Sequence, residues 1–249
     1  MFLTSRSWEK WVEYFQKLGY TCHAPAWPYH SGEPSDLRER IPEELGELKL
    51  SDLENYLDSY LRALDQPVII GHSLGGLLVQ RLVAKGLVRA GVCICPVAPN
   101  RMMSIDWGFL KNTASITNPL AGSAPYEMTP ELFRENFANR MSVPAGDQAY
   151  QDYAVHESRQ VLRDVMGPDG EVDVAQPHVP LLFIGAEEDG IIPASLVRRN
   201  AHAYTDERSH SEYISFSGRG HFICGEDGWE EVALVTANWL VGHVTAVRA

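Results

Sequence analysis

Short apolar runs and amphipathic segments alternate along the chain. The apolar runs have the length and composition of strands buried on both faces, and they lie at residues 67–70, 90–97 and 179–185. Segments with helical spacing of apolar residues lie at 7–18, 50–64 and 74–86. This alternation is typical of βαβ units and predicts an α/β domain with a mostly parallel sheet flanked by helices.

Two shorter strands are expected at 20–24 and 212–216, and the alternation stops after residue 98. Residues 99–176 are rich in Pro, Gly, Asn and Met, with helical patches at 130–141 and 148–165. We interpret 99–176 as a helical lid inserted into a core formed by 1–98 and 177–249.

A serine follows the apolar run at 67–70, in the segment Gly71-His72-Ser73-Leu74-Gly75. A chain that turns from strand to helix within a few residues needs very small side chains near the apex, and Gly71 and Gly75 meet that need. The first amides of the following helix point towards the serine, so the Leu74 N–H is a candidate donor to an oxyanion. We predict that Ser73 is a nucleophile.

A carboxylate and a histidine follow in the order that such a serine requires. Asp189 lies in the turn after the run at 179–185, and His221 lies on the glycine-rich loop after the strand at 212–216. In this scheme Ser73 attacks a carbonyl, His221 takes and returns the proton, and Asp189 fixes the imidazole tautomer.

The ordered motifs G-H-S-L-G-G, G-A-E-E-D-G-I-I-P and G-R-G-H-F resemble those of the α/β-hydrolase superfamily over nearly the whole chain. The resemblance implies a triad on loops at the carboxyl ends of parallel strands. It also implies relatives that act as esterases, lipases, lactonases and thioesterases, without choosing one substrate.

Other titratable residues have plainer interpretations. His72 is expected to be structural, His202 and His210 to lie on a solvated surface, and His23 and His30 to belong to a loop rather than a pocket. Alternatives to Asp189 as the acid stay open: they are Glu187, Glu188 and Asp106.

Aromatic residues of the predicted lid are candidates for the wall of a substrate pocket. They are Trp107, Phe109, Phe133 and Phe137. Each of them singly is at least as well explained by packing of the lid on the core.

The resemblance implies a strand ending in His-Gly before the first helix, with the second oxyanion donor on the residue after that glycine. The sequence begins at the stretch that would follow it, so Met1 and Phe2 are the candidate donors. Three explanations for the missing His-Gly strand stay open: a shift of the 20–24 strand to pair with the nucleophile strand, a contribution from another chain, or a longer native polypeptide.

Composition narrows the classes of partner. A net charge of −12 argues against a nucleic-acid surface and an anionic membrane, and no apolar run is long enough to span a bilayer. The four cysteines are too scattered for a disulfide framework, and C-x-C at 93–95 would direct both sulfurs to one face of a strand. We therefore expect reduced thiols, no metal, no cofactor and a cytoplasmic location, with homo-oligomerisation left open.

The leading hypothesis is a serine hydrolase that cleaves a carboxylic ester of small to medium size, with lactones and thioesters as near variants. A C–C bond hydrolase or lyase with the same triad is one alternative. A catalytically silent binding protein on the same scaffold is another.

Overall fold

The computed structural model describes residues 1–102 and 118–244. Among these residues, four strands form one parallel sheet in the order β1-β2-β3-β4. The strands are β1 (Val68–His72), β2 (Ala90–Ile94), β3 (Leu181–Ala186) and β4 (Ser211–Phe216). Ile70 is in register with Val92, and Val92 with Leu182. The predicted parallel sheet is therefore confirmed.

Nine α-helices lie in the described part of the chain. They are α1 (Glu9–Lys17), α2 (Pro34–Glu39), α3 (Leu50–Leu61), α4 (Leu74–Val83), α5 (Pro130–Leu132), α6 (Val143–Tyr153), α7 (Arg159–Met166), α8 (Ala194–His202) and α9 (Trp229–Val244). Short 3-10 turns lie at Ser5–Trp8, Glu43–Glu47, Pro119–Ala121 and Pro168–Gly170, and a π-helix at Phe133–Phe137.

The sheet separates two apolar clusters. On one face, α3, α4 and α8 contribute Leu53, Leu77 and Leu196. On the other face, α1 and α9 contribute Trp11 and Trp239. β2 and β3 are buried along their whole length, which is the reason that their sequences are apolar without alternation.

The predicted strand at 20–24 is wrong. These residues are irregular and pair with no strand in the described structure, so β1 forms one edge of the sheet. A cavity of about 560 Å³ lies beside β1, between α1 and α3, and residues 20–24 form part of its wall. The shift of this segment onto the nucleophile strand, one of the three explanations considered above, is thus not observed.

The chain between β2 and β3 also differs in detail from the prediction. The helical patch at 148–165 is two helices, because residues 154–158 are extended and the Ser158 side chain accepts hydrogen bonds from the first amides of α7. The patch at 130–141 is α5 followed directly by the π-helix. Phe133 and Val161 pack in the same apolar cluster as α3 and α4.

The two cysteines of the C-x-C motif do not share a face as predicted. Cys93 packs in the first apolar cluster and Cys95 in the second. Cys95 lies just beyond β2 with a φ of 41°, and this left-handed backbone breaks the alternation of a strand. All four cysteines are free thiols.

No helix within the described residues is both long enough and apolar enough to cross a bilayer.

Candidate active site

Ser73 stands between β1 and α4 in a strained backbone conformation. Its φ of 56° and ψ of −120° lie outside the regions that non-glycine residues favour. Backbone hydrogen bonds fix this turn: the Ser73 amide donates to Ile94, and the Ser73 carbonyl accepts from Gly76 and Val97. Ser73 is 7% exposed, so its hydroxyl lies at a nearly closed surface. Strain held by surrounding structure is typical of functional positions.

The glycines around Ser73 have unequal roles. A Cβ on Gly71 would lie 2.2 Å from the Gly75 carbonyl oxygen, and one on Gly76 would lie 2.6 Å from the Pro96 Cβ. A Cβ on Gly75 would meet no atom within 4 Å. The predicted steric need is therefore present at Gly71 and absent at Gly75, and Gly76 carries a need that sequence reasoning missed.

Asp189 and His221 form a buried pair at the carboxyl ends of β3 and β4. The His221 Nδ1 lies 2.7 Å from the Asp189 Oδ2, and both side chains are fully buried. The other oxygen of Asp189 accepts hydrogen bonds from the Ile191 and Ile192 amides at 2.7 and 2.8 Å. Because the carboxylate accepts a hydrogen bond from Nδ1, that nitrogen carries the proton of the neutral ring, and the Nε2 of His221 keeps its lone pair and can act as a base.

The Nε2 of His221 is buried and has no hydrogen-bond partner among the described residues. Ser73 and His221 are joined through the neighbour of Ser73: the His72 Nε2 donates to the His221 carbonyl at 2.7 Å, and the two imidazole rings lie 4.7 Å apart. No hydrogen bond joins the Ser73 hydroxyl to the Nε2 in this structure. Catalytic hydrogen bonds are often long without substrate and shorten when it binds.

His72 is a neutral donor. Burial, and then the charge of His221, lower the pKa of His72 well below 6.5. A neutral imidazole that donates at Nε2 fixes the carbonyl of His221 without adding a second positive charge next to the base. The expectation that His72 is structural agrees with this arrangement.

The loops that carry Asp189 and His221 are fastened by residues that sequence reasoning did not identify. The Asn139 side chain donates to the Glu188 carbonyl at 2.7 Å, and the Phe137 carbonyl accepts from the Phe222 amide at 2.9 Å. On the opposite side, the Gly220 amide donates to the Glu226 carboxylate at 3.1 Å. Residues 137–139, at the end of the π-helix and just after it, therefore contact both loops.

The predicted pocket residues fall into different places. Phe137 lies with its ring perpendicular to the His221 ring at 5.0 Å, whereas Phe133 is fully buried behind it and stacks on Phe137. Trp107 and Phe109, like the alternative acid Asp106, lie outside the described residues. The large cavity beside β1 reaches the site through His72 and Gly75, and neither phenylalanine lines it.

The candidate oxyanion donors differ in their surroundings. Leu74 begins α4, so its amide has no acceptor within the helix and remains available. Met1 lines the cavity together with His72 and Gly75. Phe2 is buried, and its amide donates to the Glu157 Oε2 at 3.4 Å. The Phe2 amide is thus already engaged, whereas Leu74 and Met1 remain candidates.

Glu157 and His30 form a second buried pair near this site. The His30 Nε2 lies 3.2 Å from the Glu157 Oε2, and this contact is between charges rather than an aligned hydrogen bond. Burial lowers the pKa of His30, but the Glu157 charge and the Pro28 carbonyl outweigh it and raise the pKa above 6.5. Burial raises the pKa of Glu157, but the imidazolium and nearby N–H groups outweigh it and lower the pKa below 4.5.

The remaining candidates have structural or solvated positions. Glu187 and Glu188 are exposed, and Glu188 pairs with Arg140 at 2.9 Å. His23 hydrogen-bonds to Tyr60 and lines the large cavity, so the expectation that it does not line a pocket is wrong. His202 and His210 are exposed, as expected. Within the described structure, Asp189 is the carboxylate that contacts His221.

Two side-chain clusters in the described structure bring metal-binding atom types together. Donor atoms of Cys95, Asp189 and His221 lie within 4.8 Å of one another, as do those of His210, Glu212 and His243 on the surface. Burial, and then the charge of Asp189, raise the pKa of Cys95 well above 9.0, so its thiol remains protonated beside the carboxylate. A protonated thiol is a poor metal ligand.

Comparison with known proteins relates the chain to one family and one fold. Residues 1–234 match the model of the alpha/beta hydrolase family. A search of curated proteins gives no significant match. Among solved structures, the monoacylglycerol lipase of Paleococcus ferrophilus is 19% identical with a TM-score of 0.65, covering 95% of this chain and 89% of the lipase.

Two plant proteins are similar to the same degree. An Arabidopsis methylesterase is 13% identical with a TM-score of 0.66, covering 95% of this chain and 94% of its own. Tomato methylketone synthase I, solved with 2-tridecanone, is 14% identical with a TM-score of 0.67, and the match covers 96% of this chain and 94% of the synthase. At these identities the likeness shows a common fold.

Proposed function

The chain belongs to the alpha/beta hydrolase family, and on that premise we propose that it is a serine hydrolase that cleaves carboxylic esters through Ser73, His221 and Asp189. The observation that carries the proposal is the buried His221–Asp189 pair. The Nε2 of His221 has no hydrogen-bond partner among the described residues, and the His221 carbonyl accepts from His72, the residue before the strained Ser73. The similar structures include a lipase and a methylesterase, which supports ester hydrolysis as the class of reaction.

In the proposed reaction the Ser73 oxygen attacks the ester carbonyl while the His221 Nε2 takes its proton. Asp189 holds the ring with Nδ1 protonated and stabilises the imidazolium that forms. The negative carbonyl oxygen accepts a hydrogen bond from the Leu74 amide, with Met1 on the other side of the site. The imidazolium gives its proton to the leaving alcohol, and water then repeats the sequence on the acyl-enzyme.

We further propose that part of the chain between β2 and β3 serves as a lid over the substrate. Phe137 supports this role because its ring lies against His221 and its carbonyl holds the next residue of the catalytic loop. An apolar surface at this point would suit a small to medium acyl or aromatic group.

The test is covalent labelling of Ser73 with a fluorophosphonate, together with hydrolysis of p-nitrophenyl acetate and butyrate. Ser73→Ala is expected to abolish labelling and lower kcat by about 10⁴-fold or more without loss of fold. Ser59→Ala, at an exposed serine of α3, is the matched control and should behave as wild type. A Ser73→Ala variant with wild-type turnover would overturn the proposal. Wild-type protein that neither labels nor hydrolyses would favour a silent scaffold.

A further inference from the structure

Glu157 is a fully buried carboxylate for which the proposed reaction has no use. Its Oε2 accepts from the Phe2 amide at 3.4 Å and faces His30 at 3.2 Å, and its Oε1 accepts from the Ser158 amide at 3.0 Å. Burying a charge is costly unless it is paired and hydrogen-bonded, and here each oxygen has a partner.

The three partners come from separate parts of the chain. Phe2 precedes α1, His30 lies in the loop before α2, and Ser158 caps the N-terminus of α7. Backbone contacts join the same segments: the Val155 amide donates to the Phe2 carbonyl at 3.0 Å, and the Thr4 amide to the Tyr153 carbonyl at 2.9 Å. Residues 1–4 are therefore fixed to residues 153–157 by these backbone bonds, and Glu157 adds the contact to the Phe2 amide.

Phe2 has a backbone conformation that needs such support. Its φ of 65° is left-handed, which is unfavourable for a bulky side chain and persists only where the surroundings impose it. The Phe2 ring packs edge-on against Phe137 at 6.0 Å, and Phe137 packs edge-on against His221 at 5.0 Å. The kink at Phe2 sets the direction in which Met1 leaves towards the cavity shared with His72 and Gly75.

We propose that Glu157, paired with His30, is a positioning residue of the active site: it fixes the Phe2 amide and so holds the Met1–Phe2 backbone on the oxyanion side of Ser73. The inference rests on the proposed function. Its action is indirect, because the Glu157 carboxylate contacts the Phe2 backbone and His30 rather than Ser73 or His221. Loss of the carboxylate releases the left-handed backbone of Phe2 and misplaces the oxyanion donor at Met1. This weakens binding of the transition state more than binding of the substrate.

The experiment compares Glu157→Gln with Glu54→Gln in the whole protein, using p-nitrophenyl butyrate. Glu54 is the matched control, because it is also a buried carboxylate in an ion pair, 2.6 Å from Arg81 and 2.8 Å from Lys85, on α3. Glu157→Gln is expected to lower kcat by about 10-fold to 100-fold with KM changed less than about 3-fold, and to slow fluorophosphonate labelling of Ser73 in parallel. Glu54→Gln is expected to lower the melting temperature and leave kcat unchanged.

His30→Gln keeps the carboxylate and removes its charged partner, and it is expected to lower kcat by a smaller factor of about 3 to 10. This variant also serves if Glu157→Gln fails to fold. Folded Glu157→Gln or His30→Gln protein with wild-type kcat and labelling rate would overturn the inference while an inactive Ser73→Ala variant still supported the proposed function. A fully active Ser73→Ala variant would overturn both.

Discussion

His221 lies in a dry and closely defined environment. Asp189 accepts from one ring nitrogen, His72 donates to the backbone carbonyl, and Phe137 covers the ring edge-on at 5.0 Å. These three contacts leave the ring little freedom to rotate. They therefore hold Nδ1 on the carboxylate and keep Nε2 as the free nitrogen of the ring.

Asp189→Asn tests the residue that sets the tautomer of His221. An amide in place of the carboxylate can donate to Nδ1, which moves the proton to Nε2 and removes the base. We expect kcat for p-nitrophenyl butyrate to fall by about 10⁴-fold with the fold intact. Glu188→Gln, at an exposed carboxylate one residue away, is the control and should retain wild-type kcat. Equal losses in the two variants would contradict the assignment of the acid.

At the scale of elements, the turn from β1 to α4 depends on close backbone approach. Gly71 faces the carbonyl of Gly75, and Gly76 faces Pro96 just beyond β2. Backbone atoms cannot move aside as the end of a flexible side chain can, so a methyl group at either position shifts the turn itself.

Gly71→Ala and Gly76→Ala are expected to lower the free energy of unfolding by about 1 to 3 kcal/mol in urea titrations. Gly75→Ala is the internal control: its Cβ has open space, and alanine favours the first turn of α4 over glycine by up to about 1 kcal/mol. We therefore expect Gly75→Ala to be at least as stable as wild type. A Gly75→Ala protein as unstable as Gly71→Ala would show that this account of the turn is wrong.

β1 has the sequence of an interior strand at an edge of the described sheet. Val68, Ile69 and Ile70 are apolar on both faces, whereas β4 at the other edge places a polar residue between two apolar ones at Ile214, Ser215 and Phe216. Pro67 accepts from Arg89 and Ser73 donates to Ile94, both towards β2. By alternation, the N–H groups of Val68, Ile70 and His72 face the cavity.

Hydrogen exchange should distinguish the two sides of β1. We expect the amides of Ile70 and His72 to exchange faster than those of Ile69 and Gly71, which face β2. Residue-resolved exchange by NMR measures this directly, and the alternation within one strand is its own control. Equal protection of all four amides would mean that something pairs with the cavity side of β1.

At the scale of the whole molecule, buried ionisable groups make stability depend on pH. The folded pKa of His30 is raised above 6.5, so its contribution is fully present below pH 6.5 and is lost as pH rises through the folded value. The folded pKa of Glu157 is lowered below 4.5, so its contribution is present above pH 4.5 and is lost as pH falls through the folded value. The pair stabilises most between these limits.

The stability lost in His30→Gln should therefore be larger at pH 5.5 than at pH 9. Urea unfolding of wild type and variant at the two pH values measures the difference, and the charged groups that face His30 are Glu157 and the α-amino group of Met1. His202→Gln, at an exposed histidine of α8, should show no such dependence. A loss that is the same at both pH values would contradict a charged His30.

The parallel sheet could be predicted from the sequence, and so could the order along the chain of the three candidate residues that follow its strands. Continuous apolar runs such as Val92 and its neighbours are stable only when both faces are covered, which indicates a buried parallel strand. The same local logic placed Ser73 at a strand-to-helix turn, and Asp189 and His221 after strand ends. The structure brings Asp189 and His221 into contact, because the carboxyl ends of adjacent parallel strands lie at the same edge.

Tertiary structure alone decided what no local pattern encodes. The segment at 20–24 has strand-like residues but pairs with no strand among residues 1–102 and 118–244, and the space beside β1 is a cavity in this part of the chain. The fit of Gly76 against Pro96 and the pairing of Glu157 with His30 join residues distant in the chain. Periodicity determines which face of an element is buried, whereas these contacts depend on where the elements meet.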